Sequence, residues 1–369
     1  MTTPSLRARV GFIDAARTLA MAMMVLGHVC DNLLSPAGKA SWFYQHYLPV
    51  RGLTGPLFFF LSGFAFVVAS DHAWFEYGRP GPRLWGRLRR VATLLAVGWF
   101  LQVPRWSGPR LTRDEWGYVF RSGVLHAIAL GLFVALLLIA ATRSKRAFTW
   151  AAFVLAVLAV VAAPFASASR SMPAALGLFV RTQEGSLFPV VPWTAHFLFG
   201  AVAGRLHLDT SWLSSPRRLA LVVGTAGVVM RATGTTWLEL QPADTNDLAV
   251  WVSHPAVFLS RAGLAWSVFS GFALLLGNLA SRPWLQLVAS HALSVFVAHL
   301  VALYGWPGMP GLVQRIGPTL SVTEAYLLGP ALFVACSLVI VGGAAVLGRL
   351  RKLGRLALAR AFPAAGIDA

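Results

Sequence analysis

The sequence predicts an all-α polytopic membrane protein with about ten transmembrane helices and both termini cytoplasmic. Three observations predict it. The 369 residues are 57% apolar and only 12% charged, whereas soluble domains carry about 25% Asp, Glu, Lys and Arg. Apolar runs approach the ~20 residues that cross a ~30 Å hydrocarbon core. The basic residues gather in short clusters between those runs, on alternate connections.

The runs lie near residues 11–34, 53–70, 89–106, 122–141, 148–165, 192–206, 219–238, 253–279, 284–305 and 325–348. Arg7 and Arg9 precede the first, and Arg79, Arg83, Arg87, Arg89 and Arg90 join the second to the third. Arg143, Lys145 and Arg146 join the fourth to the fifth, and Arg205, Arg217 and Arg218 the sixth to the seventh. Arg282 precedes the ninth, and Arg349, Arg351, Lys352, Arg355 and Arg360 follow the tenth. These alternate connections collect 19 basic residues against 10 on the others, with Arg17 and Arg261 inside helices. Cytoplasmic loops carry an excess of Lys and Arg, so ten helices with both ends inside fit. Residues 1–348 then form a transmembrane domain, and 349–369 a basic amphipathic tail suited to an anionic membrane surface.

The formal charge of +18 does not describe a nucleic-acid binder, because no basic domain interleaved with aromatics is present. Of 31 basic residues only Lys39, Lys145 and Lys352 are lysines, which reads as a coding bias toward arginine. The first run is long and holds Asp14 and Arg17, which argues for a retained helix and against a cleaved signal. Cys30 and Cys336 form no CxxC pattern, so neither a disulfide framework nor a metal site is expected.

The stretch FIDAARTLAMAMMVLGHVCDN at 12–32 carries four groups that lipid rejects. A charge at a helix centre costs about 2.5–3.5 kcal/mol on insertion scales, so such groups face a bundle interior or a wet cavity. At 100° per residue, with Asp14 at zero, Arg17 lies at about −60°, His28 at about −40° and Asp31 at about −100°. All four share one stripe, the wall of a polar passage. Asp31, one turn beyond His28, is placed to hydrogen-bond the imidazole. The structural alternative is an Asp14–Arg17 pair plus a histidine bonded to a neighbouring helix.

Arg17, ten residues and His28 resemble the R-x10-H signature of the membrane-bound acyltransferase-3 family. GPLFFFLSGFAF at 55–66 is similar to its second helix, and RLWGRLRR at 83–90 to the basic start of its third. Within the same wider group, GVLHAIALGLF (123–133), FPVVPWTAHFLFGAVAGRL (188–206) and ASHALSVFVAHLVAL (289–303) resemble blocks of the heparan-alpha-glucosaminide N-acetyltransferase branch. In that branch the catalytic histidine follows the first helix, and WFYQHYLPVRGLTG at 42–55 offers His46 in a comparable setting. The sequence departs from the first pattern at Arg17-Thr18, where the family has Arg-Gly, and the branch has asparagine where His28 stands.

The resemblance implies a bacterial-type inner-membrane acyltransferase. It would move an acyl group, usually acetyl, from cytoplasmic acyl-CoA to a hydroxyl or amine of a cell-envelope or secreted carbohydrate. Such chemistry needs a base for the acceptor proton and a donor for the oxyanion. His28, oriented by Asp31, is the expected base, with His46 as rival. Arg83, Arg87, Arg89 and Arg90 suit the donor's phosphates, although ordinary topology accounts for that cluster equally well. His126, Trp193 and His299 are candidate substrate contacts; Trp193 also suits an interfacial belt, and the histidines suit interhelical bonding. HExxH, P-loop and GxSxG motifs are absent. The alternative is a proton-coupled transporter, for which a repeat of the Asp14/Arg17/His28 pattern five helices on would be expected and is not found.

Overall fold

The computed structural model describes residues 11–103, 117, 119–142, 144–169, 173–180, 186, 188–241, 253–277, 282–306 and 308–361. Its elements are helices, with no strand among the described residues. In chain order they are α1 (Gly11–Leu33), α2 (Pro36–Ala40), α3 (Trp42–Arg51), α4 (Thr54–Ser70), α5 (Pro82–Gln102), α6 (Val124–Ala141) and α7 (Lys145–Ala168). There follow α8 (Ala174–Val180), α9 (Val190–Asp209), α10 (Pro216–Glu239), α11 (Pro255–Leu276), α12 (Pro283–Ser290), α13 (Ala292–Tyr304), α14 (Leu312–Ile316) and α15 (Val322–Ala361). Short 3-10 turns cover Asp71–Gly78 and Ser211–Ser214.

Each of the ten expected runs falls on a helix. Prolines at the first turn of α5, α10, α11 and α12 mark where those helices begin, because their missing N–H groups have no intrahelical partner there. Ser41 and Ser144 cap α3 and α7, accepting from Tyr44 N at 3.3 Å and Ala147 N at 3.0 Å. Seven spans among the described residues are long and apolar enough to cross a membrane, and the bent pair α12–α13 makes an eighth if it is one broken span. Helices α5 and α9, of 21 and 20 residues, are also long enough at about 1.5 Å per residue. They carry charges that lower their hydropathy. In α9 those charges are sheltered by protein, since 13 of its 20 residues are buried against α4, α6 and α7.

The core runs along two close crossings. A Cβ added at Gly63 of α4 would stand 1.8 Å from Phe197 O of α9, and one at Gly200 would stand 1.9 Å from Phe60 O. Backbone meets backbone there, so only glycine fits. Helices α10 and α11 meet in the same way at Gly227, Gly234 and Gly263. Outside these crossings α7 and α15 present Trp150, Leu158, Phe165, Leu327, Leu338 and Val339 outward, as lipid-facing surfaces do.

The helices differ from the sequence reading in three places. Helix α5 begins at Pro82, seven residues before the expected 89, because an arginine-rich first turn is helical without being apolar. The ninth run is broken at His291, where α12 and α13 meet at 67°. Helix α15 passes residue 348 without a break and continues to Ala361, so residues 349–361 prolong the tenth helix. Arg7, Arg9, Arg143 and residues 362–369 lie outside the described residues.

Candidate active site

Polar groups concentrate at the two opposite ends of the bundle. Where α1 ends, α3, α11 and α13 pack on it. His28 is half-buried on α1, and its ring centroid lies 5.5 Å from that of His299, which is 1% exposed on α13. Asn32 Nδ2 donates to His28 O at 2.8 Å and to the Tyr304 hydroxyl at 2.9 Å. The Tyr304 hydroxyl also lies 3.4 Å from His28 Nδ1. A phenol hydroxyl both donates and accepts, so this contact fits either tautomer of His28. On His299, Nδ1 donates to Val295 O at 3.3 Å, and Nε2 has no hydrogen-bond partner among the described residues.

The expected Asp31–His28 hydrogen bond is not found among the described residues. Asp31 instead forms an ion pair with Arg51 of α3 and accepts from the Tyr44 hydroxyl at 3.3 Å. The cause is α3: folded back as a helix, it delivers Arg51 to the carboxylate, and a guanidinium outcompetes a neutral imidazole for it. Arg261 Nε of α11 lies 4.0 Å from the point where a Cβ on Gly52 would stand, and its charge acts on Arg51 and on His196 of α9. His196 is 3% exposed, stacks on Phe258 at 4.2 Å, and has no partner at Nδ1 among the described residues.

His46 stands on the outer face of α3 and is exposed. Its Nδ1 lies 2.8 Å from Trp42 O, and its ring stacks on Trp42 at 4.0 Å. A carbonyl only accepts, so Nδ1 carries the hydrogen and Nε2 presents its lone pair outward. That is the tautomer a general base needs, held in place by two contacts with one residue.

The remaining candidates take structural positions. His126 accepts from Gly123 N at 3.1 Å as the cap of α6, and its ring would lie 2.6 Å from a Cβ at Gly98. Trp193 is 7% exposed and packs on Phe188 at 4.7 Å and Phe59 at 5.5 Å, within the protein core. Asp14 is buried, Arg17 is half-buried, and about 16 Å of helix rise separates Arg17 from His28. The stripe on α1 thus serves two separate places.

At the opposite end, Arg205 of α9 is fully buried. Nε donates to Asp209 Oδ2 at 2.9 Å, Nη1 to Asp71 Oδ1 at 2.6 Å, and Nη2 to Asp209 Oδ1, while the guanidinium lies 4.9 Å over Trp74. Lys145 Nζ joins Asp71 at 2.6 Å. Nearby on α5, Arg87 donates to Ser70 Oγ at 3.1 Å and covers Phe66 and Tyr77. Arg83 pairs with Glu76 at 3.0 Å, and Arg89 and Arg90 are exposed. Two of the four arginines thus have structural partners and two are exposed on the surface of α5. No group of three or more metal-ligating side chains occurs among the described residues.

Sequence reasoning misses Tyr304, Arg51 and His196. His196 sits in the quoted block 188–206, and Arg51 in 42–55, so the signal is in the motif segments. Tyr304 leaves none, being 276 residues from His28.

Residues 9–238 match the family model described as heparan-alpha-glucosaminide N-acetyltransferase, catalytic. The match covers more than half of the chain and includes His28, His46, Arg51, His196 and Arg205, while Arg261, His299 and Tyr304 lie beyond it. No curated protein matches the chain.

Proposed function

The chain belongs to the heparan-alpha-glucosaminide N-acetyltransferase catalytic family, and from that premise we propose that it carries an acetyl group from acetyl-CoA to a hydroxyl or amine of an envelope or secreted carbohydrate, with His46 as general base. The observation that carries this reading is the His46 tautomer, with Nδ1–H directed to Trp42 O and Nε2 open. In the family branch that the sequence resembles, the catalytic histidine follows the first helix, where His46 stands. His28, half-buried beside His299 and the Tyr304 hydroxyl, is less open to an acceptor than the exposed His46.

In the proposed reaction the acceptor proton passes to His46 Nε2 as the acceptor oxygen or nitrogen attacks the thioester carbon. The C–S bond breaks, and the leaving sulfur takes the proton back from the imidazolium, giving free CoA thiol and the acetylated sugar. Arg89 and Arg90 supply solvent-facing charge for the donor's phosphates at the opposite, basic end, which we assign to the cytoplasm of a bacterial-type inner membrane. The resemblance of Arg17 and His28 to the acyltransferase-3 signature fits the same reaction class.

The test is free-thiol release from acetyl-CoA by the purified protein, with and without a panel of glycans. His46→Ala should lower transfer by about 10²–10⁴, the usual contribution of a general base. Loss with His28→Ala alone would move the base to α1. A second reading, a proton-coupled transporter, is favoured by one feature, the broken α12–α13 pair. Well-folded protein that releases no thiol with any acceptor, yet moves protons, would replace the first reading with the second.

A further inference from the structure

A cavity of about 740 Å³ lies at the basic end, and neither the histidines nor the α5 arginines line it. Its walls come from α7, α9 and α10, with Phe60 of α4 and Trp266 of α11 at the inner end. Helix α7 packs on α9 and α10 packs on α11, but α7 and α10 do not pack on each other. The gap between them is flanked by the exposed side chains of Trp150, Phe153 and Val222, which lie where lipid touches the bundle. The cavity therefore opens sideways into the bilayer.

Its polarity is graded along the membrane normal. Lys145 and Arg146, together with Thr149 and Thr210, lie at the outer rim, with Arg205 and Asp209 beside them. Both carboxylates near the rim are engaged: Asp209 binds Arg205, and Asp71 binds Arg205 and Lys145. Arg146 is exposed, so net positive charge faces an incoming anion. Deeper in, the lining is apolar, ending at Phe199 and Trp266 with ring centroids 5.5 Å apart. The deepest α10 residue, Ala226, lies ten residues from Pro216, about 15 Å, which is half of a ~30 Å hydrocarbon core. The depth is that of one leaflet.

We propose that this cavity binds an anionic phospholipid of the adjoining leaflet, its phosphate at Arg146 and Lys145 and one acyl chain between α7 and α10. A polar nucleotide cannot enter through a lipid-facing slot, whereas an acyl chain arrives there by lateral diffusion, with its headgroup already at the height of the basic rim. The volume lies within the ~300–1,000 Å³ of ligand pockets. The proposal rests on the membrane fold and not on the acetyl-transfer reading.

The experiment is native mass spectrometry of the delipidated, detergent-solubilised protein titrated with phosphatidylglycerol or phosphatidylcholine. One phosphatidylglycerol per chain should be retained in preference to phosphatidylcholine. Arg146→Ala should weaken retention about five-fold, the worth of one basic contact at a membrane surface. Ala226→Trp, which fills the slot from a half-exposed position, should abolish retention. Size-exclusion profiles matching wild type establish that each variant folds. Equal retention of both lipids, retention unchanged in both variants, or displacement by acetyl-CoA would each overturn the assignment.

Discussion

Arg205 and His299 are both buried polar side chains in a membrane bundle, at opposite ends, and they are treated in opposite ways. All three guanidinium nitrogens of Arg205 have carboxylate partners and its face lies on Trp74. Among the described residues, His299 has one nitrogen bound to its own helix and the other bound to nothing, and His196 has Nδ1 in the same state. A buried polar atom without a partner costs about 1–3 kcal/mol, and structures tolerate that mainly where the group has another task. The saturation of Arg205 speaks for architecture. Open nitrogens at the histidine end speak for chemistry.

The largest effect that would break this contrast is the loss of transfer expected for His46→Ala with folding unchanged. Should the variant unfold, His46 would belong with Arg205 as a structural residue. Next, Arg205→Ala leaves Asp71 and Asp209 without their buried partner. It should destabilise the fold by about 3–5 kcal/mol, read by thermal unfolding in detergent. A mild effect would mean that the ion network is not what closes that end.

His299→Leu sharpens the comparison further, because it removes an unsatisfied nitrogen while keeping volume. Thermal stability should hold or rise, by up to about 1–3 kcal/mol, while transfer falls. A drop in stability would show that Nε2 has a partner in the membrane. Tyr304→Phe removes the hydroxyl that reaches His28 and Asn32, and should cost about 0.5–1.5 kcal/mol of stability.

The smallest effect concerns His254, which caps α11 just before its span. Its Nδ1 accepts from Ala256 N at 3.1 Å, and burial pushes its pKa below the usual histidine range. A folded-state pKa below the unfolded one means that the unfolded chain binds protons first. The cap's stabilisation is therefore complete above about pH 6.5 and is lost as pH falls from there through the folded value. His254→Asn should keep a cap and remove this pH dependence of unfolding, read as thermal stability across about pH 5–8.

The fold is largely legible in the sequence because lipid imposes a length and a polarity that can be read along a single chain. Even the helices with weak hydropathy, α5 and α9, show through their neighbouring apolar residues and basic flanks. The short amphipathic α3 gives no such run, and with it goes the true partner of Asp31. His28 and His299 each stand out as candidates, but their 5.5 Å approach depends on where α13 crosses α1, which no local pattern encodes. Trp193 shows the converse error: a tryptophan beside a span end suits an interfacial belt as well as a core, and only packing against Phe59 and Phe188 decides. Composition locates the α5 arginines, but not which of them Glu76 or Ser70 already engages.

The glycine crossing of α4 and α9 also limits how this molecule can work in time. With carbonyls and Cα atoms already touching at Gly63 and Gly200, the two helices have no slack in which to slide or rock. They form a fixed spine, and a catalytic cycle has to run by moving whatever is hung on that spine. His299 and Tyr304 stand apart from that spine, on a helix that meets its predecessor at 67° beside His291.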